Sequence, residues 1–414
     1  MLKQKIKNLK SKFRKKSPEY ESSQFEKYMF PKDIFTDNQK LMEERYLKAE
    51  DFSQHIKKDL EQILSSLFKN IVFIDKVINS RNLIYKYKFK ADKNVIDAGA
   101  LEYKLTEALS IQRIWVVMYD DILEISLPYT DFDKDEGFNT FAIPINNKKV
   151  LENVNLENPT EYIMGISQEN EVIKGNLDSN QKSMLLTGNT GEGKTNWFHQ
   201  ILITMMAHNT PDDIKMAIID LKRSPDYLMY NDLPYMLENP IFDIEIAESF
   251  FDFISKEIYQ RKELFIENEV QDIDEYNSRK DIIKINKLPR WIIFVDEYNV
   301  FNEDNTSINA LIELLKKIHD SEGVGIHLFI SQSKVSKTNL LGENHIYIDK
   351  RATLKLPNSI SSEIAIGKSS AENLLNRGDM LVEITDNLKR IQNLYISEDE
   401  IWKITNYLKE KYND

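Results

Sequence analysis

Apolar residues recur along this chain with two different periods, and the change between them divides it. Over residues 45–68, Phe52, Ile56, Leu60, Ile63, Leu64 and Leu67 return every three or four positions, the spacing of one buried face of an α-helix. Further on the period drops to two: Tyr85, Tyr87 and Phe89 alternate with Lys86, Lys88 and Lys90, which predicts a half-buried strand. The runs 114–118 and 122–127 predict two more strands, with a helix over 95–110 ahead of them. From Met184 onward, short apolar runs (MLLT, MAIID, WIIFVDE and HLFIS) alternate with longer amphipathic helices, and each run ends in polar residues. Strands apolar on both faces belong to a parallel sheet wrapped by helices, and such sheets take their ligands at the carboxyl ends of the strands.

These patterns predict a basic arm and linker over 1–40, a helical segment over 41–78, a small α+β domain over 79–155 and a larger α/β domain over 156–414. The arm begins MLKQKIKNLKSKFRKK, with eight Lys or Arg and with Leu2, Ile6, Leu9 and Phe13 on one helical face. Residues 1–16 therefore suit a membrane surface, a DNA backbone or a protein partner, and equally a solvated tail. The row Lys86, Lys88, Lys90 faces either DNA or solvent. In DFDKDEG, residues 131–137, the glycine falls one place late for a calcium-binding loop and no glutamate closes it, so the segment reads as a solvated turn.

Composition narrows the classes. With 414 residues and 41% hydrophobic content the chain exceeds one ordinary core. It has no cysteine, which excludes disulfides and thiolate zinc sites, and no histidine pair at metal-ligand spacing, so zinc is not expected. No apolar run is long enough to span a bilayer and no signal peptide opens the chain, so the expected location is the cytoplasm, with the arm allowing attachment at the inner face of the membrane. A formal net charge of −12 excludes a protein that coats nucleic acid over its whole surface and confines any DNA contact to a local channel.

The strongest motif is Gly188-Asn189-Thr190-Gly191-Glu192-Gly193-Lys194-Thr195, which follows the strand Met184 to Leu186 and opens a helix through Trp197, Ile201 and Leu202. Glycines let the backbone curl so that successive N–H groups point at phosphate oxygens, and the helix amino end adds partial positive charge. Lys194 is expected to reach the β and γ phosphates of ATP, and the Thr195 hydroxyl to ligate Mg²⁺. The second half is the apolar strand Trp291 to Val295, which ends in Asp296 and Glu297. Asp296 suits the metal, and Glu297 suits orienting and deprotonating a water. A third strand, 325–330, ends at Ser331-Gln332, where a neutral amide can sense the γ phosphate or the water. His327, inside that apolar run, reads as a core histidine.

Several stretches together resemble the FtsK/SpoIIIE family of DNA-translocating ATPases, within the wider FtsK–HerA group. They are LLTGNTGEGKT at 185–195, IIDLK at 218–222, DLPYML at 232–237, IIFVDE at 292–297, GIHLFISQ at 325–332 and NRGDMLV at 376–382. The stretch 164–188 is similar to the family's approach to its nucleotide fold, with a short hairpin before the loop strand, and 83–128 is similar to the smaller domain that precedes the core. The resemblance implies a RecA-like P-loop ATPase core that acts as a homo-oligomeric ring, a hexamer by family habit, passing double-stranded DNA through its centre. In such rings an arginine completes the neighbouring subunit's site; Arg351 and Arg261 are the candidates by motif position.

The expected form is one without the family's membrane-spanning region and without its C-terminal DNA-reading module. Glu363 stands where chromosome translocases carry arginine. These departures point to transfer or processing of plasmid, integrative-element or phage DNA. Two other readings stay open: an ATPase of a secretion-type system moving protein cargo, and a nucleotide-gated DNA-binding or scaffold protein without turnover.

Overall fold

The computed structural model describes residues 30–31, 34–89, 97–133, 137–140, 142–156, 158–177, 181–279, 287–299, 305–335, 342–375, 377–384 and 387–413. The basic segment 1–16 and Lys90 lie outside the described residues. Helix α1 (Gln39–Leu67) buries Phe52, Ile56, Leu60 and Leu64, the face that the spacing marked, and begins ahead of the expected Arg45. Residues 71–78, expected within a helical segment, are a strand instead: β1 (Ile71–Ile78) pairs antiparallel with β2 (Asn82–Phe89). Two features hid it. Val72 and Ile74 are apolar yet 63% and 48% exposed, which blurs the alternation, and the register shifts between Phe73 and Asp75.

Helix α2 (Ala98–Leu109) starts at Asp97, whose side chain accepts from the Ala100 N–H and so satisfies one of the free donors at the helix amino end. Strands β3 (Trp115–Tyr119) and β4 (Ile122–Pro128) complete a four-stranded antiparallel sheet in the order β1-β2-β4-β3. Tyr85, Tyr87, Leu101, Leu105, Leu123 and Ile125 join residues of α1 in one core. The lysine row does face acids: Lys86 lies 3.3 Å from Glu124 and 3.6 Å from Glu169, and Lys88 lies 2.9 Å from Asp121. Of the segment read as a solvated turn, residues 134–136 lie outside the described residues, and its flanks are strands. β5 (Thr130–Asp133) and β6 (Gly137–Thr140) form an antiparallel ladder that sets Phe132 opposite Phe138.

After the short α3 (Asn147–Asn153), the hairpin β7 (Glu161–Ser167) and β8 (Val172–Asn176) precedes β9 (Ser183–Thr187), as the resemblance implied. Then follow α4 (Lys194–Met206), β10 (Ile214–Asp220), α5 (Ile244–Glu267), α6 (Ile273–Ser278), β11 (Arg290–Asp296), α7 (Asn305–His319) and β12 (Ile326–Gln332). The chain ends with β13 (Lys350–Leu354), α8 (Ser359–Ile366), β14 (Asp379–Ile384), β15 (Asn387–Gln392) and α9 (Glu398–Asn413). The described strands of this region form one sheet in the order β10-β11-β12-β9-β13-β14-β15-β7-β8. From β10 to β13 in that order neighbours run parallel; the rest are antiparallel, so the sheet is mixed rather than wholly parallel.

Alternate residues of the central strands feed opposite cores, which is why their sequences are apolar throughout. Met216, Ile218, Ile292 and Phe294 pack with Trp197 and Phe198 of α4 and with Ile404 of α9. Ala217, Ile219, Ile293 and Val295 pack with Phe250 and Ile254 of α5 and Leu314 of α7. Each large apolar side chain so buried contributes about 1.5–3 kcal/mol. His327 is a core histidine as expected: it is buried, its Nδ1 lies 3.1 Å from the Gln181 carbonyl, and burial pushes its pKa down to about 3.

The small domain is fastened to the antiparallel side of the large sheet. The Arg390 guanidinium lies 4.6 Å from the Trp115 ring centre, and Arg81 donates to the Arg377 carbonyl at 3.0 Å. Asn79 and Asn170 exchange side-chain hydrogen bonds with the Gln168 and Ile78 carbonyls at 3.3 and 3.0 Å.

Candidate nucleotide site

Between the end of β9 and the start of α4 the chain curls through residues 188–193. A Cβ on Gly188 would stand 2.7 Å from Leu354 Cβ, and Gly193 has φ 108°, so neither position accepts a side chain without strain. The loop is tied down on three sides. Gly188 N donates to the Gln332 carbonyl at 3.2 Å, Asn189 N to the Lys355 carbonyl at 3.0 Å, and Gly378 N to the Glu192 carbonyl at 2.8 Å. Arg377 N also donates to Glu192 Oε2 at 3.1 Å. Thr190 and Gly191 stand exposed at the crest.

Lys194 is buried, and its ammonium donates to the Gly188 carbonyl at 2.8 Å and the Asn189 carbonyl at 3.1 Å. Burial lowers its pKa, and the charges of Glu297 and Asp296 offset this only in part. Thr195 Oγ1 donates to Asp296 Oδ2 at 3.1 Å. The same oxygen accepts from the Tyr227 hydroxyl at 2.8 Å, and Asp296 Oδ1 accepts from Ser331 Oγ.

Glu297 takes φ 56°, a left-handed conformation that costs a non-glycine residue roughly 1–3 kcal/mol and that clusters at functional sites. Its N–H donates to Ser331 Oγ at 2.8 Å. Its Oε1 accepts from Ser333 N at 2.9 Å, Ser333 Oγ at 2.6 Å and Asn299 Nδ2 at 2.8 Å, while Oε2 accepts from Lys222 Nζ at 2.9 Å. Burial works to raise its pKa, but the Ser333 and Lys222 hydrogen bonds and the Lys194 charge outweigh it and hold the carboxyl below its ordinary value. Glu297 is therefore ionised at neutral pH.

Gln332 is fully buried, in register with Thr187 at the mouth of the loop, and its side-chain amide donates to the Lys334 carbonyl. Arg351 sits half-buried on β13 in register with Leu185, two residues before Thr353, which pairs with Thr187. Arg261 must be corrected as a candidate for a neighbour's site. It is 1% exposed, donates at 2.9 Å to the Val324 and Pro289 carbonyls and to Glu257, and lies over the Trp291 ring. Val324 and Pro289 precede β12 and β11, so Arg261 staples the amino ends of these strands, opposite the phosphate loop.

Sequence reasoning missed Lys222, Tyr227, Asn299, Ser331 and Ser333. It also passed over Asp220, whose side chain accepts from Lys222 N at 3.1 Å and Ser224 N at 2.7 Å. The usable signal was position: Asp220 is in register with Asp296, so residues following parallel strands gather at one edge. A cavity of about 700 Å³ lined by Pro225, Leu228, Phe242, Phe250 and Phe253 is a separate feature, with no residue of the phosphate loop.

A glycine-rich phosphate loop at a helix amino end, with an aspartate–glutamate pair at the end of a buried strand one strand removed in the sheet, defines a P-loop ATPase. The chain belongs to the FtsK/SpoIIIE family, whose sequence profile matches residues 153–377, more than half of it. It is 24% identical to the DNA translocase FtsK of Caldanaerobacter subterraneus subsp. tengcongensis, over 85% of this chain and 52% of that protein. It is 28% identical to the DNA translocase FtsK of Clostridium tetani, over 56% of this chain and 32% of that protein. The chain thus spans about half or less of the length of these curated relatives.

Among solved structures, the pCW3 conjugation coupling protein TcpA, in its monomer form with ATPγS, has a TM-score of 0.56 and 19% identity, over 84% of this chain and 96% of that one. EssC (ATPases 2 and 3) from Geobacillus thermodenitrificans has a TM-score of 0.54 and 20% identity, over 63% and 50%. Both likenesses show the fold. Among the described residues no helix is long and apolar enough to cross a membrane.

Proposed function

We propose that the chain hydrolyses ATP to move double-stranded DNA, as a ring of identical subunits that serves transfer or processing of plasmid, integrative-element or phage DNA. The observation that carries this reading is the meeting of Lys194, Thr195, Asp296 and Glu297 at one sheet edge, in a chain whose curated relatives are DNA translocases.

Thr195 Oγ1 and Asp296 Oδ2 are hard oxygens 3.1 Å apart. They suit Mg²⁺, which takes one or two protein oxygens and fills its remaining positions from phosphates and water. Bound there, the ion would neutralise charge on the β and γ phosphate oxygens. Lys194 exchanges the Gly188 and Asn189 carbonyls for phosphate oxygens. Glu297 orients a water and takes its proton as the water oxygen bonds to the γ phosphorus; the bond from that phosphorus to the bridging oxygen breaks, releasing ADP. Gln332, at the end of β12 beside the loop, is the candidate to sense the γ phosphate, and Arg351 is the remaining candidate to complete a neighbour's site. Loops lining the channel would hold DNA by its phosphates, which makes binding tolerant of sequence and sensitive to salt.

The test is steady-state ATP hydrolysis with and without linear duplex DNA, at low and moderate salt, with Lys194→Ala as the blank. Stimulation of several-fold that fades with salt is expected. Hydrolysis indifferent to duplex DNA overturns the DNA motor and favours a protein cargo. Turnover no greater than that of Glu297→Gln favours a nucleotide-gated scaffold.

A further inference from the structure

Lys222 is the one cation that bonds the Glu297 carboxylate directly among the described residues, and its position has two sides. Its ammonium lies 2.9 Å from Glu297 Oε2, where the lysine side chain is 47% exposed and the glutamate 4%. It also lies close enough to Lys194 for its charge to act on that ammonium. Two cations therefore converge on the space in front of the phosphate loop. Lys194 is turned back onto loop carbonyls, and Lys222 is turned onto the catalytic carboxylate.

The turn that carries Lys222 is fixed rather than loose. Asp220 accepts from both Lys222 N and Ser224 N, and Arg223 Nε donates to the Phe242 carbonyl at 3.1 Å. A long, half-exposed lysine side chain on a fixed backbone can swing between two anions without a change of fold. With Oε1 held by Ser333 and Asn299, Oε2 is the oxygen left to meet a water, and Lys222 occupies one of its two lone pairs while the ammonium charge lowers the basicity of the other.

We propose that Lys222 is a nucleotide-sensing latch: it holds Glu297 while no γ phosphate is present, and moves to the γ phosphate when ATP binds, freeing Glu297 Oε2 for the water. The chemistry favours the exchange, because a terminal phosphate carries more charge and more acceptor oxygens than a carboxylate. ADP brings no γ phosphate, so Lys222 stays on Glu297. The latch makes the catalytic base available only on the substrate and closes it again on the product. Lys222 thus acts on the nucleotide through the γ phosphate and on the hydrolytic step through Glu297. This inference rests on Glu297 as the base of the proposed hydrolysis.

The experiment measures the affinities of ATPγS and ADP, by competition with a fluorescent nucleotide, alongside kcat and KM for ATP, on the full chain carrying Lys222→Met, Lys222→Arg or Glu297→Gln. Lys222→Met is expected to weaken ATPγS by about tenfold while changing ADP by less than about twofold, and to lower kcat. Lys222→Arg, which keeps the charge, is expected to restore most of the preference for ATPγS over ADP. A Lys222→Met protein that keeps the wild-type preference while Glu297→Gln abolishes turnover overturns the latch and leaves the hydrolytic reading standing. A Glu297→Gln protein that turns over at the wild-type rate overturns both.

Discussion

The two halves of the large sheet are built from similar apolar residues and serve different ends. In the half made of β10, β11, β12, β9 and β13 the strands run parallel, so their carboxyl ends share one edge. Asp220 lines up with Asp296 there, and Gln332 with Thr187. In the half made of β14, β15, β7 and β8 the direction alternates, and its contribution to the loop is a brace: Gly378 N on the Glu192 carbonyl. The antiparallel half instead holds buried fasteners. Asp379 accepts from Arg390 Nε at 2.9 Å and from Nη2 at 2.7 Å, and Arg390 in turn carries Trp115 of the small domain. Strand direction, more than composition, decides where chemistry gathers.

The sharpest test of that division is its border strand, β13. Arg351→Ala is expected to lower turnover by about a hundredfold or more, as loss of an arginine acting across subunits does, with the unfolding midpoint unchanged. Mixing it with Glu297→Gln subunits is then expected to restore part of the hydrolysis. Unchanged turnover would move β13 to the bracing half.

Arg390→Met tests the other side. It leaves the buried Asp379 carboxylate with the Leu375 N–H, at 2.7 Å, as its remaining partner, and is expected to cost about 3–5 kcal/mol in urea unfolding. Hydrolysis per folded molecule should stay near the wild-type level. A large loss of kcat without loss of stability would break the comparison.

The smallest effect expected per residue is a pH dependence set in the parallel half. Burial holds the pKa of His199 at about 4 and that of His327 at about 3, both below the ordinary value of 6.5. Below pH 6.5 the unfolded chain takes up protons that the native state refuses, so stability falls as pH drops towards those folded values. By pH 5 each histidine should cost about 2 kcal/mol. Urea midpoints at pH 7.5 and 5 check this, and replacing His327 with glutamine should remove its share of the difference.

What the sequence made legible was whatever backbone geometry demands of residue type. The phosphate loop needs glycine at 188 and 193, and the buried parallel strands need unbroken apolar runs, so both could be read directly. The acidic pair was readable because a wholly apolar strand ending in Asp296 and Glu297 is chemically conspicuous. Lys222 and Ser331 stood inside the stretches IIDLK and GIHLFISQ without a role, and Ser333 outside them, since lysines and serines after strands are ordinary and acquire meaning only when the sheet aligns strand ends. Arg261 failed for the complementary reason: nothing in one dimension separates an arginine that reaches a neighbour from one stacked on Trp291 in a core. β1 escaped because Val72 and Ile74 place apolar side chains on the solvent side of a strand.

The phosphate loop rests on both halves at once, on the Gln332 and Lys355 carbonyls at the parallel side and, through Gly378, on the other. It is the keystone of the sheet rather than a flap attached to it. The small domain meets the far half at Trp115 and Arg81, and the Arg377 carbonyl that Arg81 holds lies one residue before Gly378, so a single short path of contacts joins that domain to the loop.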